Sequence, residues 1–481
     1  NDGGDGLLVA EALCEAGPPD VAVWLYRRDG IGAAPVGANL LDRVHVVRDG
    51  DDFAATLART DLIVDALYGI GARAGLPDDL AAALVAVNER GQERRTLRVA
   101  LDIPTGVDAD TGAADPAAFH ADLTVTLGRP KRGLFLPHGL RFAGEIVVDT
   151  LDLGEPGVPD DAPRLIGRED AARLLPRREA DAHKSDAGAL MIVGGSANYF
   201  GATTLAGNAA LRAGVGLLTL AVPRGILNAV AAQIAEATFI PLPESEWGVI
   251  GASERSDLTA EIAAWLAGGR YTALQIGNGI GRNAATLEAL NGFFGLGSSR
   301  PVTQQGEPAP PGGGPLSMPI LFDADGLYWL TTVEGWWDRL RGLDLVLTPH
   351  PGEMARLRGV APREVAAAPW EHAREAARQW GQTVVLKSGH TTVATPEGAL
   401  WVAPVANPAL ATAGTGDTLA GTIGGLLAQG LSPADAAILG LWLGSRAGEL
   451  ARTEVGTLPL VASDLPRYLG RAIKELESAE D

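Results

Sequence analysis

The sequence has little of several residue types, and each scarcity excludes a class of protein. Cys14 is the only cysteine among 481 residues, so no internal disulfide can form, which fits the reducing cytoplasm where we expect this protein. No apolar run approaches the ~18 residues of a membrane span, so we expect no membrane partner. Positive charge is also scarce, and the net charge of −20 argues against nucleic acid as a partner.

Short apolar segments alternate with helical segments along the whole chain, and glycine is abundant. At roughly 100–200 residues per domain, the length predicts two or three domains. Strands that alternate with helices predict parallel sheets with helices on both faces, so we expect three-layer α/β domains. A segment rich in proline and acidic residues, 155–164, predicts a linker. We therefore expect one domain over residues 1–154 and another over residues 165–481.

The apolar segments predict six strands in each domain. Those of the first domain are at 20–26, 43–48, 60–67, 98–103, 121–128 and 144–151. Those of the second are at 189–195, 217–223, 273–279, 319–325, 345–350 and 384–389, with predicted helices at 364–381 and 432–452 among others. A stretch at 296–318 rich in proline, glycine and glutamine predicts a mobile surface loop. The chain starts at Asn1 inside a glycine loop, which normally follows a strand, so we expect a native segment before it.

The most informative motif is Ala-Gly-Thr-Gly-Asp at 413–417, which is followed by the small-residue segment TLAGTIGGLLAQG. A glycine turn before a helix presents backbone N–H groups to an anion, and the helix dipole favours negative charge there. A carboxylate at this point can take a proton from a hydroxyl group while a phosphoryl group arrives beside it. The motif therefore predicts phosphoryl transfer to an alcohol, with Asp417 as the base and the N–H groups of Gly414, Thr415 and Gly416 stabilising the moving phosphoryl group.

Four further glycine-bearing motifs follow predicted strands of the second domain. They are GGSANYFGA, IGNGIGR, TPHPGE and LKSGHTT. Ligands of open parallel sheets bind beyond the carboxyl ends of the strands, so all five motifs are expected to open onto one cleft. Together with HKSDAG and DADGL, and in this order, they resemble the ADP/ATP-dependent NAD(P)H-hydrate dehydratases of the ribokinase-like superfamily, from about His183 to Ala451.

The resemblance implies a C-terminal ribokinase-like three-layer domain with a defined set of site residues. The hydrated dinucleotide would contact Ala202, the turn around Gly281, His350 and Asp417. The nucleotide, ADP or ATP, would contact Lys387, Ser388, Gly389, His390, Thr391 and Gly416. Bacterial members of the family use ADP, which favours ADP here. Glu353 would hold a water molecule of a Mg²⁺ shell.

The residues alone leave alternatives open at several of these positions. His350 is also interpreted as a turn residue bonded to the backbone, and Lys387 as a solvated strand end. Asp323 and Asp325 are interpreted as structural residues that cap the helix after them.

The first domain contains three acidic glycine-loop motifs of its own. They are NDGGDG at the start, IVDALYGIGARAG with Asp65, and VALDIPTGVDADTG with Asp102. With GRPKRGL they resemble the NAD(P)H-hydrate epimerase domain over roughly residues 1–152, a domain that commonly precedes the dehydratase in bacterial fusions. This implies a Rossmann-like three-layer domain in which Asp102 is catalytic.

The epimerase resemblance also implies a ligand set. The dinucleotide would be held by Asn1, Asp2, Gly3, Gly4, Asp5 and Asp102. A potassium ion would be held by Asp65, Thr105, Asp2 and the carbonyl groups of the loop 69–75, since hard oxygen ligands suit such a cation. Asp2 and Thr105 stand where the family usually has asparagine and serine.

Two readings of the whole chain follow. In the first, the chain repairs hydrated nicotinamide cofactors: it interconverts R and S NAD(P)H hydrates and dehydrates the S form to NAD(P)H, giving AMP and phosphate if ADP is used. In the second, the chain is a ribokinase-like kinase of a small alcohol with a non-catalytic dinucleotide-binding module. A kinase would accumulate a phosphoester, whereas the repair enzyme would regenerate reduced nicotinamide. In either reading we expect a homo-oligomer.

Overall fold

A computed structural model of the chain divides into two compact units, Asn1–Val158 and Pro159–Asp481. It describes residues 4–17, 20–27, 36–37, 40–47, 50–71, 75–93, 96–154, 159, 161–251, 270–296 and 316–478, with five single positions between 262 and 268. Most of the insertion predicted at 296–318 lies outside these residues. Among the described helices, none has the length and apolar character that crossing a bilayer requires.

The N-terminal unit is built on parallel strands. They are β1 (Ala22–Trp24), β2 (His45–Val47), β3 (Leu62–Asp65), β4 (Leu97–Leu101), β5 (Leu123–Leu127) and β6 (Glu145–Asp149). The helices are α1 (Gly4–Glu15), α2 (Leu40–Arg43), α3 (Gly50–Leu57), α4 (Asp78–Glu93) and α5 (Pro137–Ala143). All six predicted strands are present, but in the described residues they form a two-stranded sheet, β1-β2, and a four-stranded sheet, β3-β4-β5-β6.

Helix α4 shows why this unit folds as an α/β layer. Leu80, Leu84 and Val87 recur at helical spacing on one face and are buried together with Ala100 of β4 and Phe119. Burying each large apolar side chain contributes about 1.5–3 kcal/mol relative to exposing it. The apolar stripe therefore holds α4 against the strands that carry the acidic residues of this unit.

The C-terminal unit is built on a ten-stranded sheet with the order β10-β9-β8-β13-β14-β15-β16-β17-β18-β7. The strands of the unit are β7 (Arg164–Leu165), β8 (Ala189–Val193), β9 (Leu217–Pro223), β10 (Thr238–Leu242), β11 (Glu244–Glu246), β12 (Val249–Ile250), β13 (Ala273–Ile276), β14 (Ile320–Phe322), β15 (Leu345–Leu347), β16 (Thr383–Leu386), β17 (Thr392–Ala394) and β18 (Leu400–Val402). Pairing along the sheet is parallel except at β17, which is antiparallel to both neighbours. The remaining strands, β11 and β12, pair with each other.

Helices connect these strands. They are α6 (Arg168–Leu174), α7 (Phe200–Arg212), α8 (Leu227–Ala231), α9 (Ala284–Phe293), α10 (Asp325–Thr331), α11 (Trp336–Arg339), α12 (Pro351–Arg358), α13 (Pro362–Ala367), α14 (Pro369–Trp380), α15 (Thr415–Ala428), α16 (Pro433–Val455) and α17 (Leu465–Glu477). The predicted helix at 432–452 is confirmed as α16, whose cap Ser432 accepts a hydrogen bond from the Asp435 N–H at 3.2 Å.

The single helix predicted at 364–381 is wrong, because the structure has two. Helices α13 and α14 meet at Ala368, which has φ −137° and ψ 59°. Pro369 has no N–H group to donate, and its ring disfavours the helical conformation at the residue before it. A proline inside a helical pattern therefore started a new helix here.

The small residues of α15 let this helix lie against α7. A Cβ atom on Gly421 would be 2.0 Å from the carbonyl oxygen of Ala206, so a larger residue would force the two helices apart. Strand β8 lies between β9 and β13, so the chain leaves β8 toward one side of the sheet and later returns on the other. In open α/β sheets, ligands bind in the crevice at such a switch point.

Candidate active site

Four adjacent parallel strands of the C-terminal sheet deliver polar side chains to one edge. Asn278 follows β13, Asp323 follows β14, His350 follows β15 and Lys387 follows β16. Because these strands run in the same direction, their carboxyl ends share an edge. The start of α15 brings Asp417 to the same place, since the Asp417 carboxylate accepts a hydrogen bond from Asn278.

Asp417 lies in the first turn of α15, behind a glycine turn. Gly414 caps the helix with φ 89°, a conformation that favours glycine, and the Thr418 N–H donates to its carbonyl at 3.1 Å. The N–H groups of the residues before Thr418 have no partner in the helix by its geometry, and they point toward its N-terminal end. Asp417 Oδ1 accepts from Asn278 Nδ2 at 2.7 Å.

The environment of Asp417 is unusual for a carboxyl group. Burial, reinforced by the neighbouring Asp323 carboxylate, raises the pKa of Asp417 to about 7. The hydrogen bond from Asn278 and the Lys387 ammonium group both act in the opposite direction. A base with a pKa near the working pH is well suited to exchange a proton with a substrate hydroxyl group.

Lys387 lies beside the start of the same helix. Its Nζ donates to Asp323 Oδ1 at 2.9 Å and lies 4.0 Å from Glu353 Oε2. A Cβ atom on Gly416 would be only 3.4 Å from this Nζ. Burial alone disfavours the charged amine, but the carboxylates of Asp323 and Glu353 outweigh it and raise the pKa of Lys387. The interpretation of Lys387 as a solvated strand end is therefore wrong.

Asp323 connects these groups and does not cap a helix. Its Oδ1 accepts from the Thr348 hydroxyl at 2.7 Å as well as from Lys387, and its Oδ2 accepts from Asn278 Nδ2 at 2.9 Å. The residue that caps α10 is Ala324, with φ 49° and no side-chain cap. A positive φ at a non-glycine residue costs free energy and is typical of functional sites.

Asp325 does not cap α10 either. Its Oδ2 accepts from the Gly281 N–H at 3.0 Å and its Oδ1 accepts from Arg282 Nε at 2.7 Å. The Arg282 guanidinium group also lies 4.6 Å from the centre of the Tyr328 ring. Asp325 therefore holds the turn around Gly281 in place. This is the turn that the family resemblance assigns to the hydrated dinucleotide.

His350 and Glu353 form a reciprocal cap at the start of α12. His350 Nδ1 accepts from the Gly352 N–H at 3.0 Å, and Glu353 Oε2 accepts from the His350 N–H at 2.8 Å. Burial, together with the Lys387 charge, lowers the pKa of His350, which favours the neutral ring. Because Nδ1 accepts a hydrogen bond, the proton of the neutral ring is on Nε2. His350 is therefore bonded to the backbone of its own turn, as in the alternative interpretation of this residue given above. Half of the side chain is still exposed, at 50%.

The loop after β16 is closed by its own hydrogen bonds. The Ser388 hydroxyl donates to the His390 carbonyl at 2.7 Å, and the Ser388 N–H donates to Thr391 Oγ1 at 3.3 Å. His390 Nδ1 lies 2.8 Å from the Ala403 carbonyl, and burial lowers the pKa of His390 to about 4. The His390 ring is thus neutral and turned inward, so a nucleotide would meet this loop through Gly389 and the backbone.

Two aromatic residues beside Ala202 were not assigned from the sequence. Tyr199 and Phe200 open α7 and are 58% and 39% exposed. A Cβ atom on Gly279 would lie 2.5 Å from the Tyr199 carbonyl oxygen and 3.1 Å from Ala202 Cβ, so this helix start packs on the loop after β13. The signal in the sequence was the pair of aromatic residues between the glycines of GGSANYFGA.

In the N-terminal unit, Asp102 directly follows β4 and is buried. Its backbone φ is 67°, and its Oδ1 accepts from the Leu127 N–H at 3.1 Å and from Lys131 Nζ. Lys131 also donates to the Leu127 carbonyl at 2.6 Å. At the end of a strand, a residue with a strained backbone whose carboxylate is paired with a lysine is typical of a functional site. In the sequence, Lys131 stands out only as part of the motif GRPKRGL.

Asp65 and Thr105 form a compact group of oxygen atoms at the same edge. Asp65 Oδ1 accepts from the Thr105 hydroxyl at 2.7 Å, and Oδ2 accepts from the Thr105 N–H at 2.7 Å. Burial raises the pKa of Asp65, while its hydrogen bonds from Thr105 and the Leu67 N–H oppose this. The carboxylate and the hydroxyl group are hard oxygen donors, the type of ligand that hard cations prefer.

The start of the chain contributes only in part to the described site. Asn1, Asp2 and Gly3 lie outside the described residues, whereas Gly4 and Asp5 open α1. A Cβ atom on Gly6 would lie 2.7 Å from Ala66 Cβ, which places the start of α1 beside the end of β3. The described part of the glycine loop therefore lies near the edge that holds Asp65.

The described residues contain no group of three or more acidic, histidine or cysteine side chains arranged to hold a metal ion. Glu353 is a single carboxylate already committed to the cap of α12, so this residue by itself does not build a magnesium site. Mg²⁺ in nucleotide enzymes is bound largely by the phosphates and water. A single carboxylate near the nucleotide site is compatible with a magnesium ion that is held mainly by nucleotide phosphates and water.

Two family models match the chain. One is described as NAD(P)H-hydrate dehydratase and matches residues 190–471, and the other as the N-terminus of YjeF-related proteins, matching residues 1–133. The bifunctional NAD(P)H-hydrate repair enzyme Nnr of Moorella thermoacetica is 36% identical and aligns with 99% of this chain and 86% of its own length. The protein of the same name from Coxiella burnetii is 32% identical over 98% of this chain and 87% of its own length.

Solved structures match the C-terminal unit. The ADP/ATP-dependent NAD(P)H-hydrate dehydratase of Bacillus subtilis, co-crystallized with ATP/Mg²⁺, is 27% identical, with a TM-score of 0.51 over 65% of this chain and 99% of its own. A ribokinase-like superfamily protein from Enterococcus faecalis is 22% identical, with a TM-score of 0.51 over 67% of this chain and 99% of its own, and shows likeness of fold alone.

The fold defines a class first: the C-terminal unit is an α/β unit with the fold of the ribokinase-like superfamily protein. The family models and the relatives show that the chain is an enzyme. Because the repair enzyme of Moorella thermoacetica is 36% identical over 99% of this chain, and both family models match, the chain belongs to the family of bifunctional NAD(P)H-hydrate repair enzymes. The family, the fold class and the enzyme class expected from the sequence are confirmed.

Proposed function

We propose that this chain repairs hydrated nicotinamide cofactors by interconverting the R and S forms of NAD(P)H hydrate and by dehydrating the S form at the expense of a nucleotide. The observation that carries the proposal is the placement of Asp417. Its carboxyl group, with a pKa of about 7, lies at the start of a helix beside the Lys387 ammonium group. This combination supplies a proton acceptor and a phosphate site within one turn of helix.

In the dehydration, the phosphate groups of the nucleotide would lie over the N–H groups at the start of α15 and against Lys387. Asp417 takes the proton of the 6-hydroxyl group of the substrate while the oxygen atom of that hydroxyl group attacks the terminal phosphorus atom of the nucleotide. The bond from that phosphorus atom to the nucleotide breaks, which leaves AMP if ADP is used. Hydroxide is a poor leaving group, whereas the phosphate ester is a good one.

The second half of the reaction requires little of the protein. The ring-nitrogen lone pair expels phosphate from C6, and loss of a proton from C5 restores the double bond of the dihydronicotinamide ring. The turn around Gly281, Ala202 and the half-exposed His350 ring would hold the dinucleotide in place. Exposed Tyr199 and Phe200 offer flat faces beside them. The Mg²⁺ ion would neutralise charge on the phosphates.

The nucleotide is proposed to be ADP, with ATP as the other candidate. The relative from Bacillus subtilis was co-crystallized with ATP/Mg²⁺, which supports an adenine nucleotide with magnesium at this site. Contacts would come from Lys387, Ser388, Gly389, Thr391, Gly416 and the backbone of His390. Glu353, whose Oε2 atom lies 4.0 Å from Lys387 Nζ, is proposed to hold at most a water molecule of the magnesium shell.

For the epimerase unit we propose Asp102 as the catalytic residue. The Lys131 ammonium group fixes one carboxylate oxygen, so the other is presented in a constant direction. Asp65 and Thr105, with Asp2 and the carbonyl groups of the loop 69–75, would bind a potassium ion. That ion would supply positive charge near the phosphates of a dinucleotide bound at the start of α1.

The test uses the full chain with purified R and S hydrates of NADH and NADPH. With ADP or ATP and Mg²⁺, the absorbance of the reduced nicotinamide should return, and both epimers should be consumed. Without nucleotide, the epimers should only interconvert, faster with K⁺ than with an equal concentration of Na⁺. Accumulation of a stable phosphoester with no return of absorbance would instead establish the small-alcohol kinase. Light scattering would test the predicted homo-oligomer.

A further inference from the structure

One buried carboxamide joins the two carboxylates of the dehydratase site, and sequence reasoning assigned it no role. Asn278 is fully buried, and its single Nδ2 group donates to Asp417 Oδ1 at 2.7 Å and to Asp323 Oδ2 at 2.9 Å. Both hydrogens of the amide are therefore used on ionisable groups. Hydrogen bonds to charged acceptors are roughly twice as strong as neutral ones.

The orientation of this amide is determined by a second one. Gln275 Nε2 donates to Asn278 Oδ1 at 2.7 Å, and Gln275 is also fully buried. If the Asn278 amide were rotated by half a turn, its oxygen would face two carboxylates and its nitrogen would face another donor. Gln275 in turn lies against α15, because a Cβ atom on Gly424 would be 2.3 Å from its Oε1.

The hydrogen bonds distinguish the two oxygen atoms of Asp417. Oδ1 is occupied by the Asn278 amide, whereas within the described residues Oδ2 receives no hydrogen bond. A proton arriving on Oδ1 would meet the N–H of Asn278, so the open acceptor is Oδ2. The charged groups that act on Asp417 are Asp323 and Asp325 after β14 and Lys387 after β16. Glu353 of α12 lies 4.0 Å from Lys387 Nζ, and His350, which caps α12, lies 3.5 Å from Glu353.

We infer that Asn278, oriented by Gln275, is a positioning residue for the dehydratase: it holds one oxygen of the general base Asp417 and leaves the other oxygen to take the substrate proton. The inference rests on the proposed function, since it concerns the same site. Asn278 is fully buried, so its role is exercised through Asp417 and Asp323.

The effect on protonation has a definite direction. Asn278 donates to the ionised form of Asp417, so its hydrogen bond lowers the pKa of Asp417, while the Asp323 charge raises it. Without the amide, the hydrogen-bond donor between the two carboxylates is lost, and it no longer offsets their repulsion. The pKa of Asp417 should rise, and the acid limb of the pH–rate profile should move to higher pH.

The test compares the full chain with Asn278→Leu, which removes both donors and keeps the branched shape and the number of heavy atoms. We expect kcat for dehydration at pH 7 to fall by about tenfold or more, and the acid limb of kcat to move up by about one pH unit. The Kd for ADP with Mg²⁺ should stay within about twofold. Gln275→Met leaves the amide in place without its orienting partner, and it should move the limb in the same direction by less.

The control is Asn291→Leu, the same chemical change outside the site. Asn291 Oδ1 accepts from the Trp329 indole N–H at 3.0 Å in the same unit. This variant should lose stability and keep the acid limb of the unaltered chain. If Asn278→Leu and Gln275→Met lose kcat only in parallel with their melting temperatures and keep the same limb, the inference is overturned.

A second readout does not depend on turnover. In protein labelled with ¹³C at the aspartate carboxyl carbons, the Asp417 signal is the one that Asp417→Asn removes. Its titration midpoint should be higher in Gln275→Met than in the unaltered chain, which also decides the question if Asn278→Leu does not fold. An unaltered chain that does not dehydrate its substrate would contradict the proposed function, whereas an unchanged midpoint would contradict the inference.

Discussion

Asp417 is predicted to make the folded protein less stable at the pH at which it is active. The perturbation is Asp417→Asn, which keeps the shape and lets an amide oxygen accept the same hydrogen bond from Asn278. It removes a negative charge that folding largely buries and places beside the Asp323 carboxylate. The same variant should lose about 10²–10⁴-fold in kcat for dehydration, the usual contribution of a general base.

The magnitude follows from the pKa. The folded state raises the pKa of Asp417 from 3.8 to about 7, so between these values it binds a proton that the unfolded chain has released. Stability from this group is fully present below pH 3.8 and is lost as the pH rises through about 7. The loss is about 2 kcal/mol at pH 5 and at most about 4 kcal/mol at pH 8, since solvent screening reduces it.

The assay is scanning calorimetry of the full chain and of Asp417→Asn between pH 5 and pH 8. The transition of the C-terminal unit, recognised by its shift with ADP and Mg²⁺, should be higher in the variant. The difference should grow toward pH 8, because the unaltered chain is destabilised by its ionised carboxylate. If the variant is no more stable at pH 8, or if the difference shrinks as the pH rises, the reasoning about Asp417 is refuted.

Three further substitutions test other parts of the structure. Lys387→Met should weaken ADP binding and destabilise the fold by about 3–5 kcal/mol in urea titrations, because it leaves the buried Asp323 carboxylate without its cation. Gly421→Ala should cost about 1–3 kcal/mol and reduce kcat, since its Cβ atom would meet the backbone of α7 at 2.0 Å. Asp102→Asn should slow epimer interconversion by about 100-fold or more, without changing the dehydration rate of pure S hydrate.

Each of these has a control or a contrary outcome. Gly470→Ala places the same methyl group in helix α17, where nothing lies within 4 Å, so its stability should be unchanged or slightly higher. Normal ADP affinity in Lys387→Met would remove this lysine from the nucleotide site. Unchanged interconversion in Asp102→Asn would leave the N-terminal unit as a binding module without turnover.

The fold was largely accessible from local patterns. The predicted segments around β8, β9 and β13 to β16 are strands, because continuous apolar runs between glycine loops are typical of buried parallel strands. The short strands β17 and β18 were missed, since three-residue segments inside LKSGHTTVATPEGALWV have no periodicity to detect. The break at Ala368 was available in the sequence, but the helical pattern on both sides of Pro369 obscured it.

The site divides in the same way. The positions of Lys387 and Asp102 at strand ends and of Asp417 at a helix start followed from glycine motifs, because such motifs have a known place in an open α/β sheet. The misinterpretation of Asp323 and Asp325 as caps arose because local capping chemistry is visible in a sequence, whereas a distant partner is not. The inward orientation of the His390 ring belongs to the same kind, since its partner, the Ala403 carbonyl, lies across a hairpin.

By itself, the sequence determined which chemical groups stand at the ends of the strands and which family of reactions they serve. Only the tertiary structure decided that Asn278, 139 residues before Asp417, bridges it to Asp323, and that burial, with the Asp323 charge, raises the pKa of Asp417 to about 7. The physical reason is range. Turn chemistry and periodicity depend on residues a few positions apart, whereas desolvation and charge interaction depend on neighbours that only the folded sheet brings together.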